Sequence, residues 1–427
     1  MLYRRWWWKR LVHVCRRWRH IIFASPHGLG LQLFCTGRRP MRALLDIWPP
    51  FPITISCSEY VNSTRQANII AALEHHDRVS AIFLGAVNHS ILEGFAAVMR
   101  EPFPALKYLH LASYNNSAPV LPAEFSGGYA PRLQSLNLWG VAFPDLPKFA
   151  LSATQLFYLC LWNIPVVGYI SPEAMATCLA MLPNLKNLSI GFGFPRSHHG
   201  QITLPPRTRA VLPALTSFRF SGASAYFEDL VSRIDAPLLY QLNMSFIEHI
   251  FDLFNNPRLL QFITPAERLQ PPNRAELTFS PAKAKIALGL PIRLELTICV
   301  PGSWHPTAQL CKAISPLLSH VELLEINRDS CLQAVIGEPG DANEPPSLLE
   351  VLGRFPAVQS LYMSSEGPLV MRALQELARE KATEVLPALR SLFFKGSPGS
   401  TSVREATESL IAARQHSNQP VDVHWEE

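Results

Sequence analysis

One phrase recurs along most of the chain and limits what it can fold into. It reads apolar-Pro-x-Leu-x-x-Leu-x-Leu, as in PALKYLHL (104–111), PRLQSLNL (131–138), PNLKNLSI (183–190) and PALTSFRF (213–220). It returns as PLLYQLNM (237–244), PAVQSLYM (356–363) and PALRSLFF (387–394), and a copy without Pro, TQLFYLCL, occupies 154–161. The first apolar residues after the Pro position are 106, 133, 156, 185, 215, 239, 358 and 389. Within the two clusters the copies therefore follow one another at 27, 23, 29, 30, 24 and 31 residues. A period of that size fits one strand and one helix per unit, each unit burying its apolar face on its neighbour. The expected fold class is α/β, a solenoid with a parallel sheet, and such an array suits binding better than catalysis.

In Leu-x-x-Leu-x-Leu the last two apolar positions are two apart, so they point to one side of a strand, toward the core. The residues between and before them face outward. These are Tyr108 and His110, Ser135 and Asn137, Tyr158 and Cys160, Asn187 and Ser189, Ser217 and Arg219, Gln241 and Asn243, Ser360 and Tyr362, and Ser391 and Phe393. Small polar and aromatic groups with almost no charge suit contact with protein. The target-binding candidates are Tyr108, His110, Asn137, Tyr158, Asn187, Arg219, Asn243, Tyr362 and Phe393. The competing expectation is of solvated strand residues, since a solenoid uses only part of its face.

With 427 residues, 48% hydrophobic and 17% charged, the chain has the composition of a core-forming protein and not of a disordered one. No apolar run approaches the roughly 20 residues that span a bilayer, and Arg and Lys interrupt every apolar stretch near the N-terminus, so no signal peptide is expected. Eight cysteines, at 15, 35, 57, 160, 178, 299, 311 and 331, form no Cys-x-x-Cys pair and no zinc-ligand pattern. They read as reduced residues of a cytoplasmic or nuclear protein. The net charge of +5 belongs to one end: residues 1–42 hold ten Lys/Arg and no acid. The remainder carries 28 basic and 33 acidic residues, a net of −5, which gives no charge-based case for nucleic acid.

Two domains are expected: an N-terminal helix and linker at 1–60, then the repeats at 61–427, less regular at 266–355. At the N-terminus Leu11, Val14, Cys15, Trp18 and Ile21/Ile22 recur at helical spacing, and Ser25-Pro26 ends the helix. Further helices are signalled by Ile91, Leu92, Phe95, Val98 and Met99, by Phe227, Leu230, Val231 and Ile234, and by the start Ser171-Pro172-Glu173. RAELTF (274–279) and RLELTI (293–298) resemble a pair of adjacent strands, and VELLEI (321–326) is another strand. A loop is expected at 337–346, helices at about 368–380 and 402–415, and a closing strand at Val421–Trp425.

The repeats resemble leucine-rich repeats of an irregular kind, because the Asn expected a few residues after the last Leu is mostly absent. The stretch from Leu11 to Pro26, with Val-Cys-Arg-Arg-Trp-Arg at its centre, resembles the last helix of an F-box. Together with HGLGLQLFCT (27–36), LDIWPPFP (45–52) and ALEHHDRV (72–79), it is similar to the large F-box-like family of mushroom-forming fungi. The resemblance implies docking on a Skp1-like adaptor and capture of a target protein by the repeats, for ubiquitination by a Skp1-cullin-F-box-type ligase. By position, Leu11, Val14, Cys15, Trp18 and Ile22 would be the adaptor-binding residues. The opening Leu-Pro-x-Glu and first helix of an F-box have no counterpart, so the box is expected to be truncated, or the chain to start upstream of Met1.

The alternative is a repeat scaffold without a ligase role, a monomer outside any complex. An Arg-rich N-terminus with Trp6, Trp7 and Trp8 also fits a mitochondrial presequence or a membrane-surface helix, both weaker readings. His75-His76-Asp77 and His198-His199 have no metal-ligand partners at useful spacing, and no phosphate loop, nucleophile elbow or catalytic carboxylate pair occurs. No enzymatic activity, cofactor or metal is expected.

Overall fold

A computed structural model describes residues 7–24, 31–36, 40–58, 61–114, 118–193, 209–246, 262, 272–280, 283–289, 293–298, 311–312, 314–328, 348–364, 374–375, 377–378, 384–395 and 401–426. The fold is mixed α/β, with sixteen strands hydrogen-bonded in one mostly parallel order. The chain divides into two compact units, Met1–Phe194 with Pro206–Ser217 and Arg233–Leu238, and Pro195–Pro205 with Phe218–Ser232 and Leu239–Glu427.

The recurring phrase has a direct backbone cause. Its Pro occupies the second position of a β-turn, where the ring presets φ. The fourth residue then donates back to the first: Leu106 N to Phe103 O at 3.1 Å, Leu133 N to Ala130 O at 3.1 Å, Leu185 N to Leu182 O at 3.1 Å and Leu389 N to Leu386 O at 3.1 Å. Thr154 takes the Pro position in the odd copy, and Leu156 N still reaches Ala153 O at 3.0 Å. Each turn is followed by one carbonyl that accepts two successive N–H groups from the next strand. Lys107 O takes Gln134 N and Ser135 N, Gln134 O takes Phe157 N and Tyr158 N, and Phe157 O takes Lys186 N and Asn187 N.

In the first unit β1 (Leu33–Cys35), β2 (Ile53–Cys57), β3 (Val79–Leu84), β4 (Tyr108–Ala112), β5 (Ser135–Trp139), β6 (Tyr158–Ile164) and β7 (Asn187–Phe192) pair in sequence, all parallel. The sheet thus starts inside the 1–60 segment. Parallel neighbours need crossovers, and helices supply several: α4 (Ser63–Leu73) follows β2, α5 (His89–Met99) follows β3, α6 (Leu146–Ala150) follows β5 and α7 (Pro172–Ala180) follows β6. Three of these four starts, those of α4, α5 and α7, are capped by a polar side chain ahead of the apolar periodicity. Asn62 accepts from Arg65 N at 2.9 Å, Asn88 from Ile91 N at 2.8 Å and Ser171 from Ala174 N at 3.2 Å. Leu109, Leu111, Leu136, Leu138, Leu159, Leu188 and Ile190 are buried, as the spacing requires.

The N-terminal stretch is not one helix. It breaks into α1 (Trp7–Val12) and α2 (Arg16–Ala24), the latter stopping just before Ser25-Pro26. α3 (Met41–Ile47) leads into the Pro-rich segment. Arg78, at the end of the 72–79 stretch, donates to Phe51 O through Nε at 3.1 Å and Nη2 at 3.0 Å, and to Pro49 O at 3.4 Å. One side chain thereby ties together two of the segments on which the family resemblance rests.

The second unit begins with β9 (Ser217–Gly222), α8 (Ser224–Arg233) and β11 (Gln241–Phe246). The two-residue strands β8 (Ala210–Val211) and β10 (Ile234–Asp235) pair separately in the first unit. Phe218, Phe220, Phe227 and Phe246 pack on one another, with ring centroids 4.8 Å apart for Phe220–Phe227 and 5.4 Å for Phe218–Phe227. β12 (Arg274–Ser280) and β14 (Arg293–Ile298) are not adjacent, contrary to the reading of RAELTF and RLELTI as a pair. β13 (Lys283–Gly289), the alternating KAKIALG segment, runs antiparallel between them. The chain thus folds back so that β14 lies beside β11, while β12 pairs in parallel with β15 (Leu323–Arg328). β16 (Ser360–Ser364), β17 (Ser391–Lys395) and β18 (Asp422–Glu426) continue in order, the last being the expected closing strand.

The helix Thr401–His416 matches the expected 402–415. Its Arg414, fully buried, donates to Val385 O at 2.9 Å and Leu386 O at 3.0 Å, while Nε and Nη1 have no partner and burial lowers its pKa. The loop expected at 337–346 and the pair His198-His199 lie outside the described residues, as does most of 368–380.

Candidate binding faces

Register decides which side chains meet. In the first unit Phe83, His110, Asn137, Cys160 and Ser189 form one outward row, and Tyr108, Ser135, Tyr158 and Asn187 a second. Ala112, Trp139 and Trp162 form a third. The predicted Tyr108, His110, Asn137, Tyr158 and Asn187 are thus brought together on adjoining strands. Tyr108 is 38% exposed, while the other four are half-buried.

Phe83 and Trp139, 39% and 38% exposed, belong to the same face but lie outside the set chosen from the sequence. Trp139 and Trp162 are side by side, centroids 6.2 Å apart. Trp162 and Asn163 together oppose Gly191, where the register of β6 and β7 shifts, and Asn163 takes a φ of 54°. Such a bulge re-aims side chains. Burial holds the His110 ring below its usual pKa of 6.5, and a side-chain hydrogen bond with Asn137 only partly opposes this, which favours the neutral imidazole. Asn137 Oδ1 is itself hidden from solvent, beside the His110 ring.

The second unit presents a different face. Asn243 aligns with Glu295, Glu276 with Glu325, and Glu325 with Tyr362, Phe393 and His424. Tyr362 stacks on Phe393 at 4.4 Å, and Phe393 on His424 at 4.8 Å. Glu325 is an anchor: its carboxylate accepts from Arg274 Nη2 at 2.7 Å, from Asn327 Nδ2 at 2.8 Å and from Lys395 Nζ. Asn327 also reaches Glu276 at 3.2 Å, and Lys285 pairs with Glu295 at 2.9 Å. Burial alone would raise the Glu325 pKa, but Lys395, Asn327 and Arg274 together outweigh it and hold the group at about 2. A carboxylate so fully engaged is a poor proton acceptor. Arg219 stands exposed on β9.

The Glu325 cluster is absent from the sequence-based set because its two strands lack the Pro. Their backbones nevertheless repeat the pattern: Val321 N donates to Leu318 O at 3.2 Å, and Asn273 O accepts from both Glu322 and Leu323. The apolar spacing was the available signal. No known protein-family model matches the chain, and no curated protein does.

At the N-terminus Val14 and Trp18 are 62% and 47% exposed, and Cys15 is exposed. Leu11 is half-buried and Ile22 is buried in the first unit. The five expected adaptor contacts therefore do not form one open stripe, because the chain breaks at His13–Cys15. Among the described residues no group of three or more His, Cys, Asp or Glu is placed to hold a metal ion. His76, one of the candidate ligands, is engaged through Nδ1 with Pro102 O at 2.9 Å. Burial pushes the Cys178 thiol up to about 12, so it is an inert core group. Among the described residues no helix is long and apolar enough to cross a membrane.

Proposed function

We propose that this chain is a target-recognition scaffold, an irregular leucine-rich-repeat-like solenoid whose outward strand residues take a protein target. Its N-terminal helices dock a Skp1-like adaptor, which makes it the substrate-recognition subunit of a Skp1-cullin-F-box-type ubiquitin ligase. In this role it contributes no catalysis; it holds a target near a ubiquitin-charged enzyme and raises the effective concentration. It would act in the cytoplasm or nucleus, as a monomer outside the complex. The observation that favours recognition is the in-register repetition of unburied polar and aromatic residues on successive parallel strands. Exposed Val14, Cys15 and Trp18 favour an adaptor contact.

Co-purification with a Skp1 protein tests the ligase role. Capture is expected from the full chain and is expected to be lost in Trp18→Glu, whose fold should be untouched because Trp18 faces solvent. No capture, from this chain or from one extended upstream of Met1, would sink that role. A second reading, a repeat scaffold without an adaptor, draws support from the break at His13–Cys15 and from Ile22, at 4% exposure already used by the chain's own core. It predicts target binding with no Skp1 capture.

A further inference from the structure

The two units offer unlike surfaces to a target. On β3 to β7 the three outward rows contain no Asp, Glu, Lys or Arg. The charges nearest in sequence, Lys107 and Lys186, sit at strand starts, one residue before Tyr108 and Asn187. The centre of the face is low: His110 and Asn137 are half-buried and Cys160 is 8% exposed. Tyr108 and Trp139 stand higher on either side of it, and Phe83 lies in the row itself next to Ser56 of β2, each aromatic 38–39% exposed. Outward positions two apart on a strand are roughly 7 Å apart, so the Tyr and Trp rows lie about 13 Å from each other. From Phe83 to Ser189 the central row crosses four strand spacings, about 19 Å, the length of about six residues of extended chain.

From these features we infer that the face of the first unit binds an extended, uncharged segment of a partner protein that runs across the strands. Apolar side chains of the segment pack against Tyr108, Trp139 and Trp162. A charge brought here would be desolvated with no counter-charge in the three rows, which disfavours acidic and basic segments. The second unit lacks this character, because Glu276, Glu295 and Glu325 with their cations lie across its outward row. The inference rests on the scaffold reading and specifies the chemistry of its target.

The test is an array of random eight-residue peptides probed with the full chain. Bound peptides should be rich in Leu, Phe and similar residues and depleted in Asp, Glu, Lys and Arg relative to the array. Tyr108→Arg and Trp139→Ala should each weaken binding of a selected peptide by about tenfold or more, as loss of an aromatic anchor does, and Leu151→Ala, exposed at the end of α6 and outside the strand rows, should leave it unchanged. Both altered positions face solvent; thermal melting checks the fold, and Tyr108→Arg suffices should Trp139→Ala prove unstable. Bound peptides as charged as the array, or no bound peptide, would overturn the inference. So would a self-associated chain that Tyr108→Arg returns to monomer, since the face would then serve a second copy. Peptides lost with Phe393→Ala but not with Trp139→Ala would overturn it while leaving the scaffold reading intact, and Skp1 capture is read independently of all these outcomes.

Discussion

A Cβ on Gly191 would lie 2.8 Å from the Trp162 indole, closer than real contacts allow, so the ring rests against bare backbone there. Gly191→Ala should therefore displace the ring and cost about 1–3 kcal/mol, the usual range for overpacking. In urea titrations Gly191→Ala/Trp162→Ala should lose less than the sum of the single changes, because the clash vanishes with the ring. Glu325 gives a pH test. Its folded pKa, about 2, lies below the ordinary carboxylate value of 4.5, so its contribution is fully present above pH 4.5 and is lost as pH falls toward 2. Glu325→Gln should destabilise at pH 7 by on the order of 1–2 kcal/mol, less than for a deeply buried pair because Arg274 and Lys395 keep access to water. The gap between the two denaturation curves should narrow steadily from pH 4.5 to pH 3; a constant gap would contradict the linkage.

The repeat is a turn, a strand and, in four of the described copies, a following helix, and its Pro acts on the turn. Thr154 holds the Pro position in the one odd copy and donates no backbone hydrogen bond among those described. Thr154→Pro should therefore stabilise the chain by about 0.4–1 kcal/mol through the unfolded state, seen as a higher urea midpoint with an unchanged slope. Loss of a cap works the other way: Asn88→Ala should cost about 1 kcal/mol by orphaning Ile91 N at the start of α5. At this scale much was legible in advance. Leu-x-x-Leu-x-Leu gave the strands, their buried sides and the outward rows, and Ser171-Pro172-Glu173 gave a capped helix. Strands β12 and β15 were seen, but without a Pro they did not declare themselves as turns of the same repeat, so Glu325 stayed outside the candidate set. The break between α1 and α2 was hidden because apolar spacing continues through it; Val14 and Trp18 fit the helical period yet face solvent.

Across the molecule the two units solve the same packing problem and dress their outward faces differently, one in uncharged aromatics and one in paired ions. Binding on the first face should hardly respond to salt. Between about 0.05 and 0.5 M NaCl, where screening shortens several-fold, the affinity of a selected peptide should change by less than about twofold; a steep salt slope would place it on charged groups instead. Which face a strand residue joins was readable from its alternation, whereas the fold-back of β12 to β14 was not, since it depends on which edges meet in space. That fold-back bears on how the chain is made. The neighbour of β11, β14, ends at Ile298, 52 residues after Phe246 ends β11 (298 − 246). At ordinary synthesis rates that is roughly 3–10 s during which β11 lacks β14, while β12 and β13 are already formed and free to pair wrongly. Ribosome-stalled chains should show the amides of Gln241–Phe246 that face β14, and not those that face β9, exchanging freely when residue 280 has emerged and protected once residue 298 has. Among the described strands the order of manufacture and the order of assembly part company here, and a chaperone would find its work there.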